Sequence, residues 1–150
     1  MEVQLMEELI QQMKELLADT FAFRLKTQYY HWNIEGPDFA QYHKFLGKLY
    51  EEIDSAVDET AEKIRSLNSY APGSFQRYLE LATIQCDDNI IPAIEMLDRV
   101  KIDNDVLRNK LKQVRNKAEA SGEFGLVNFL EGRLDAHDKH AWMLKALTKR

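Results

Sequence analysis

The chain is nearly without cysteine, and that shortage removes whole classes of chemistry. Its one thiol, Cys86, cannot close an internal disulfide or build a Cys-based zinc site. Proline and glycine are scarce too, three and six in 150 residues, and most lie in short clusters. The long stretches free of both favour helix, and no alternating segment reads as a strand. No apolar run approaches the roughly 20 residues needed to cross a bilayer. The first twenty residues are amphipathic and acidic, unlike a secretion signal, and no lysine precedes Lys14. A basic tail is therefore missing as well. Formal net charge is −5, and only Lys145, Lys149 and Arg150 at the extreme C-terminus lean the other way. Proteins held on DNA through phosphates usually show a basic patch or tail, so direct DNA binding is disfavoured and cations suit this surface better. With 45% hydrophobic residues the chain can bury one core, and a cytoplasmic protein with a single domain over residues 1–150 is expected.

What is present is helical periodicity. Leu5, Leu9, Met13, Leu16, Leu17, Phe21 and Leu25 predict a helix from about Val3 to Asn33. Glu35-Gly36-Pro37 ends it, because glycine can take a left-handed cap and proline blocks continuation. Asp38 suits the N-cap of a second helix, with Gln41 completing a capping box. Phe45, Leu49, Ile53, Val57 and Ile64 carry that helix to about Leu67. Residues 68–73 read as a loop, and Ser74 as the cap of a short helix ending near Leu81. Pro92 suits the first position of a third long helix that reaches about Ala120. Ser121-Gly122 breaks it, and a fourth runs from about Glu123 to Leu147. The expected class is all-α: a ferritin-like four-helix bundle whose long crossover, between the second and third helices, carries the short extra helix.

Imidazoles and carboxylates are ligands that hold redox-active iron. His31 lies five residues before Gly36 and His43 six after Pro37. In an antiparallel helix pair, nearly equal distances from the turn mean equal heights, so the two imidazoles can face one another. Asp58 and Glu62, four apart, share a face of the second helix. Asp58, however, lies fifteen residues beyond His43, roughly 22 Å at 1.5 Å per residue, while a ligand must sit within about 2 Å of its ion. One subunit cannot bring all four to one metal. Either the carboxylates are ordinary surface groups, or a second subunit runs antiparallel and offers its own pair, making two equal sites in a two-fold dimer. A di-iron site inside one bundle is not encoded, because no Glu precedes a His by three residues.

The stretch Tyr30-His31-Trp32-Asn33-Ile34-Glu35-Gly36-Pro37-Asp38-Phe39, with His43 following, resembles the signature of the Dps mini-ferritins, DNA-protecting proteins from starved cells. So does the segment from Tyr50 to Arg65, and the stretch Asp135 to Leu144 is similar to that family's final helix. The likeness covers essentially the whole chain. It implies a hollow dodecamer of four-helix-bundle subunits with a ferroxidase centre at each two-fold interface. His31 and His43 would come from one subunit, Asp58 and Glu62 from its partner, with Glu62 bridging two irons. Trp32 and Trp142 resemble tryptophans that the family places near this centre; plain interface packing is the alternative for each. Glu119, Glu123 and Glu131 fall where the family lines its iron-entry pores, although Asn128 stands where an acid is expected.

One departure matters. Where the family often has an acid four residues after the second histidine, this chain has Gly47. A carboxylate is lost, helix stability falls by about 1 kcal/mol relative to Ala, and a close approach of another backbone or of ligand is implied. Asp54, one turn before Asp58, could compensate. Among the remaining residues, His137 and His140 are read as solvated or hydrogen-bonded, Cys86 as buried or half-buried, and Phe21, Phe23, Tyr29 and Tyr30 as core and interface.

The resemblance thus implies oxidation of Fe(II), with hydrogen peroxide or more slowly with O2, followed by storage of ferric oxide inside the shell. Imidazole titrates near 6.5, so such a site should fail below about pH 6. Two rivals come from other classes. One is a DNA-coating or structural cage with a vestigial iron site; the other is a helical interaction module that binds no metal.

Overall fold

The computed structural model describes all 150 residues, Met1 to Arg150. Five helices follow in order: α1 (Glu2–Asn33), α2 (Phe39–Ser66), α3 (Phe75–Leu81), α4 (Ala93–Ala120) and α5 (Phe124–Thr148). α1 packs against α2 and α4, α4 against α5, and the short α3 rests on α1. Between them lies a continuous core that includes Leu9, Met13 and Phe23 of α1, Leu46 and Ile53 of α2, Leu107 of α4, and Leu130 and Leu144 of α5. Leu9, Met13, Leu16 and Leu17 of the stripe read from the sequence are buried, whereas Leu5, Phe21 and Leu25 are only half-buried. Phe23 and Tyr30 take the core positions further along α1, and burying such stripes is what holds long helices together.

The helix ends show how the chain reverses. α2 stops at Leu67, after which Asn68 takes φ +68°, its N–H bonding Arg65 O at 3.0 Å. α4 stops at Ser121, and Gly122 takes φ +73° while the N–H of Glu123 reaches back to Ala118 O. Both are left-handed caps, one on Asn and one on Gly. Ser74 caps α3 by accepting the N–H of Arg77 at 3.2 Å, as anticipated.

Two details at the α1–α2 turn differ from expectation. Asp38 is the N-cap of α2 but makes no side-chain cap, so the capping box with Gln41 is absent. Its backbone (φ −102°, ψ 21°) is not the extended conformation that aims a carboxylate at the following amides. Gly36 does take a positive φ of +122°, but not as a cap of α1, which ends on extended Ile34. It instead closes a tight turn in which Phe39 N–H donates to Gly36 O at 3.1 Å. Pro92 likewise stands one position earlier than expected, as the N-cap of α4.

The crossover is tied down by two aspartates. Fully buried Asp19 of α1 accepts the N–H groups of Thr83 and Ile84 (2.7 and 2.9 Å) and the Thr83 hydroxyl (2.8 Å), and is paired with Lys110. Asp87 of the crossover accepts the Tyr30 hydroxyl at 2.6 Å and Arg99 at 2.9 Å. The Tyr30 hydrogen bond is the largest influence holding its carboxyl at about 2. Cys86, between these anchors, is exposed rather than buried.

Candidate metal centre

The α1–α2 turn does what residue counting implied. It sets His31 and His43 side by side, ring centroids 3.9 Å apart and planes within 13°. Phe39 stacks on the outer face of His43 (5.0 Å), and Tyr50 tilts against His31 (5.3 Å). The pair is further locked through the backbone. His31 Nδ1 lies 2.7 Å from His43 O, and His43 Nδ1 lies 2.7 Å from His31 O. A carbonyl oxygen only accepts, so each Nδ1 must carry the proton. Neutral imidazole then has its lone pair on Nε2, the tautomer needed to bind a metal, and the crossed bonds fix both rings in it.

Gly47 explains how His31 fits. It lies one helical turn after His43 on α2, and the His31 ring lies directly on it. A Cβ built at this glycine would come 2.8 Å from His31 Cε1 and 3.1 Å from Nδ1. The close approach expected at Gly47 is therefore made by the His31 ring, and neither by another backbone nor by a bound ligand.

Asp58 and Glu62 are exposed on α2. Within one chain no group of three or more His, Cys, Asp or Glu side chains is placed to hold a metal ion. Asp54, the suggested substitute for a missing carboxylate, is paired with Arg24 Nε at 3.0 Å and stays largely exposed. Trp32 and Trp142 are both surface groups, 61% and 67% exposed. Trp32 borders a shallow hollow with Ile34, Phe39 and Ile90 beside the histidine pair. Near the α4–α5 turn, Arg115 binds both Glu119 (2.5 Å) and Glu131 (3.2 Å), while Glu123 occupies the N-cap of α5.

A second polar cluster escaped the sequence reading. Arg133 of α5 grips Glu52 of α2 with both terminal nitrogens (2.5 and 3.0 Å), and His140 Nε2 meets the same carboxylate at 2.7 Å. Behind them, His137 Nδ1 bonds Asn104 Oδ1 of α4 at 2.7 Å, and Asn104 Nδ2 returns a bond to His137 O at 3.0 Å. His137 and His140 are buried and hydrogen-bonded, not solvated. Burial is the main cause that lowers the His137 pKa to about 3, helped by the charge of Arg133. Burial alone would raise the Glu52 carboxyl, but bonds from His140 and Arg133 outweigh it and hold it at about 2. The signal was there: Arg133, His137 and His140 continue the helical spacing of buried Leu130 and Leu144, so polar residues stand at core positions.

Comparison with known proteins agrees with this architecture. The ferritin-like domain family matches residues 10–150. The crystal structure of antigen TpF1 from Treponema pallidum superimposes with a TM-score of 0.94 at 30% identity, covering 98% of this chain and 95% of that one. A Dps protein from Vibrio cholerae O1, described as a member of a broad superfamily of ferritin-like diiron-carboxylate proteins, gives 0.93 at 26% identity, over 97% and 92%. DNA protection during starvation protein 2 of Bacillus anthracis is 28% identical over 140 residues, 93% of this chain and 96% of the relative. With the helix order, the crossover helix and the paired histidines of the α1–α2 turn all in place, the chain belongs to the ferritin-like family, as a mini-ferritin of the Dps type.

Proposed function

We propose that the protein is a ferroxidase and iron store whose working unit is a pair of subunits. His31 and His43 of one subunit, with Asp58 and Glu62 of the partner subunit, bind Fe(II) as substrate at the two-fold interface. The single observation that carries this reading is the crossed Nδ1–carbonyl clasp, which presents two Nε2 lone pairs with no carboxylate of the same chain to complete the site. Solvent-facing Asp58 and Glu62 supply what the histidines lack.

The stacking also bears on stoichiometry. An ion bound by imidazole lies close to the ring plane, about 2 Å from nitrogen. Two nearly parallel planes whose centroids are 3.9 Å apart cannot share one ion in both planes. Each histidine therefore serves its own Fe(II), at a spacing close to the roughly 3.5–4 Å of two-metal sites. Glu62 of the partner subunit is the bridging carboxylate. Each Fe(II) gives one electron to a single hydrogen peroxide; the O–O bond breaks and, with two protons, yields two waters and two Fe(III). Paired delivery avoids hydroxyl radical, and hydrolysed Fe(III) collects as ferric oxide within a dodecameric shell in the cytoplasm. O2 serves as the slower oxidant. Glu119, Glu123 and Glu131 keep an excess of negative charge over Arg115 where incoming Fe(II) would pass.

Subunit mixing tests this. The variants His31→Ala/His43→Ala and Asp58→Asn/Glu62→Gln should each be inactive. Reassembled together in equal amounts, half of the interfaces are hybrid and each hybrid has one intact site, so peroxide-driven oxidation should return to roughly a quarter of wild type. No recovery would sink the shared site. The name of the Bacillus anthracis relative favours a second reading, a DNA-coating cage. Retardation of duplex DNA at low salt would reveal it, against a net charge of −5.

A further inference from the structure

We propose that Gly47 is a positioning residue for His31: the missing side chain is the seat of the imidazole, so this chain cannot carry an acid at position 47 and a clasped His31 together. The inference rests on the reading above, that His31 holds a cation. It begins with the 2.8 Å that would separate a Cβ at this position from His31 Cε1, closer than real Cβ contacts come. Something must move. Gly47 is buried inside α2, about two turns from its start, and α1 and α2 are held along their length by the core. The element with room to give is the ring, and a ring pushed off Gly47 stretches and misaligns its bond to His43 O, 2.7 Å from its Nδ1. That bond fixes both the orientation of His31 and the tautomer that binds metal.

Two consequences separate this from a plain packing role. First, alanine at 47 should not destabilise the fold, because alanine favours helix over glycine and only a side-chain end is displaced. Cation affinity should fall nonetheless, by about 10–100-fold, as when the hydrogen-bond partner of a ligating histidine is lost. Second, aspartate at 47 should behave like alanine. It adds a carboxylate near the site but shares the offending Cβ, so it disturbs one ligand while offering another.

The test uses the full assembled protein with Co(II), in the absence of oxygen, as the probe. Wild type, Gly47→Ala, Gly47→Asp, His31→Ala and His31→Ala/Gly47→Ala are titrated by ligand-field absorbance. Each is also followed through thermal unfolding, and Gly47→Ala is crystallised without metal. The expected results for Gly47→Ala are a melting temperature no lower than wild type, a displaced His31 ring and weakened Co(II) binding. In the His31→Ala background the alanine should change binding no further, the signature of action through His31 alone. Wild-type affinity in Gly47→Ala, a gain of Co(II) capacity in Gly47→Asp with His31 in place, or an equal loss in the His31→Ala background would each overturn the proposal. If Gly47→Ala fails to fold, the double variant decides: it folds if the ring is the obstacle, and its failure rejects the idea. Equal Co(II) binding by wild type and His31→Ala would instead refute the iron site. The ring position in the metal-free Gly47→Ala crystal would then still decide what Gly47 does.

Discussion

His31 and His43 are each bound to the other's main chain, not to the other's side chain. Truncating one ring therefore leaves the acceptor of the remaining ring in place. His31→Ala and His43→Ala should each keep the opposite imidazole clasped and lose one of two cations. Anaerobic Fe(II) capacity should fall by about half in each single variant and nearly vanish in the double. Equilibrium dialysis with iron analysis measures this, and total loss in either single variant would mean that the rings share an ion after all.

Acid stability should follow His137 and Glu52. Unfolded histidine takes up its proton near 6.5, whereas buried His137 resists until about 3. The folded state thus binds fewer protons in that window, and its stability falls as pH drops from 6.5 toward 3, by about 1.4 kcal/mol per pH unit from this group. Glu52, held at about 2 against an ordinary 4.5, contributes stability above pH 4.5 that disappears as pH falls toward 2. The variant His137→Asn should flatten the curve between pH 6.5 and 4.5 and leave only the Glu52 loss below it. Urea denaturation at a series of pH values would show an unchanged slope if the imidazole is not buried neutral.

Asp19 has more to lose than an ordinary surface acid. Its removal strands two amides of the crossover and the ammonium of Lys110. Asp19→Ala should cost about 3–5 kcal/mol, the range for breaking a buried ion pair from one side. Denaturation at fixed protein concentration would report it, and a cost below 1 kcal/mol would mean that the crossover holds without this anchor.

Gly122 tests the α4–α5 turn. At φ +73° a side chain is strained by about 1–2 kcal/mol, and Gly122→Ala should lower stability by that amount without touching iron oxidation. The same substitution at Gly125, in the first turn of α5 with open space around it, should leave stability unchanged or raise it.

Much of the fold was legible because its elements follow local rules. The apolar spacing marked the long helices, Ser74 marked the start of α3, and counting outward from Gly36-Pro37 placed His31 beside His43. What was not legible depends on partners far away in sequence. Asp38 looked like a cap, but the tight link between two packed helices dictates a backbone that cannot use its side chain. Asp54 gave no local sign of a partner, and only the packing of α1 on α2 reveals Arg24 beside it. His137 and His140 stood at core spacing, but their partners, Asn104 and Glu52, lie 33 and 88 residues away, so nothing local said whether water or protein would satisfy them. Gly47 announced a close approach, but only the folded hairpin names the ring that makes it.

The crossed bonds of the hairpin also act as a ruler. Sliding α1 along α2 by a single residue moves it about 1.5 Å and would lift both rings from their carbonyls at once. The two helices are therefore keyed to one register at the end where the histidines lie, much as two teeth fix a zip. Any change in the length of the turn between Asn33 and Phe39, even one that spares all four proposed ligands, would be read out first as a failure to present the histidines.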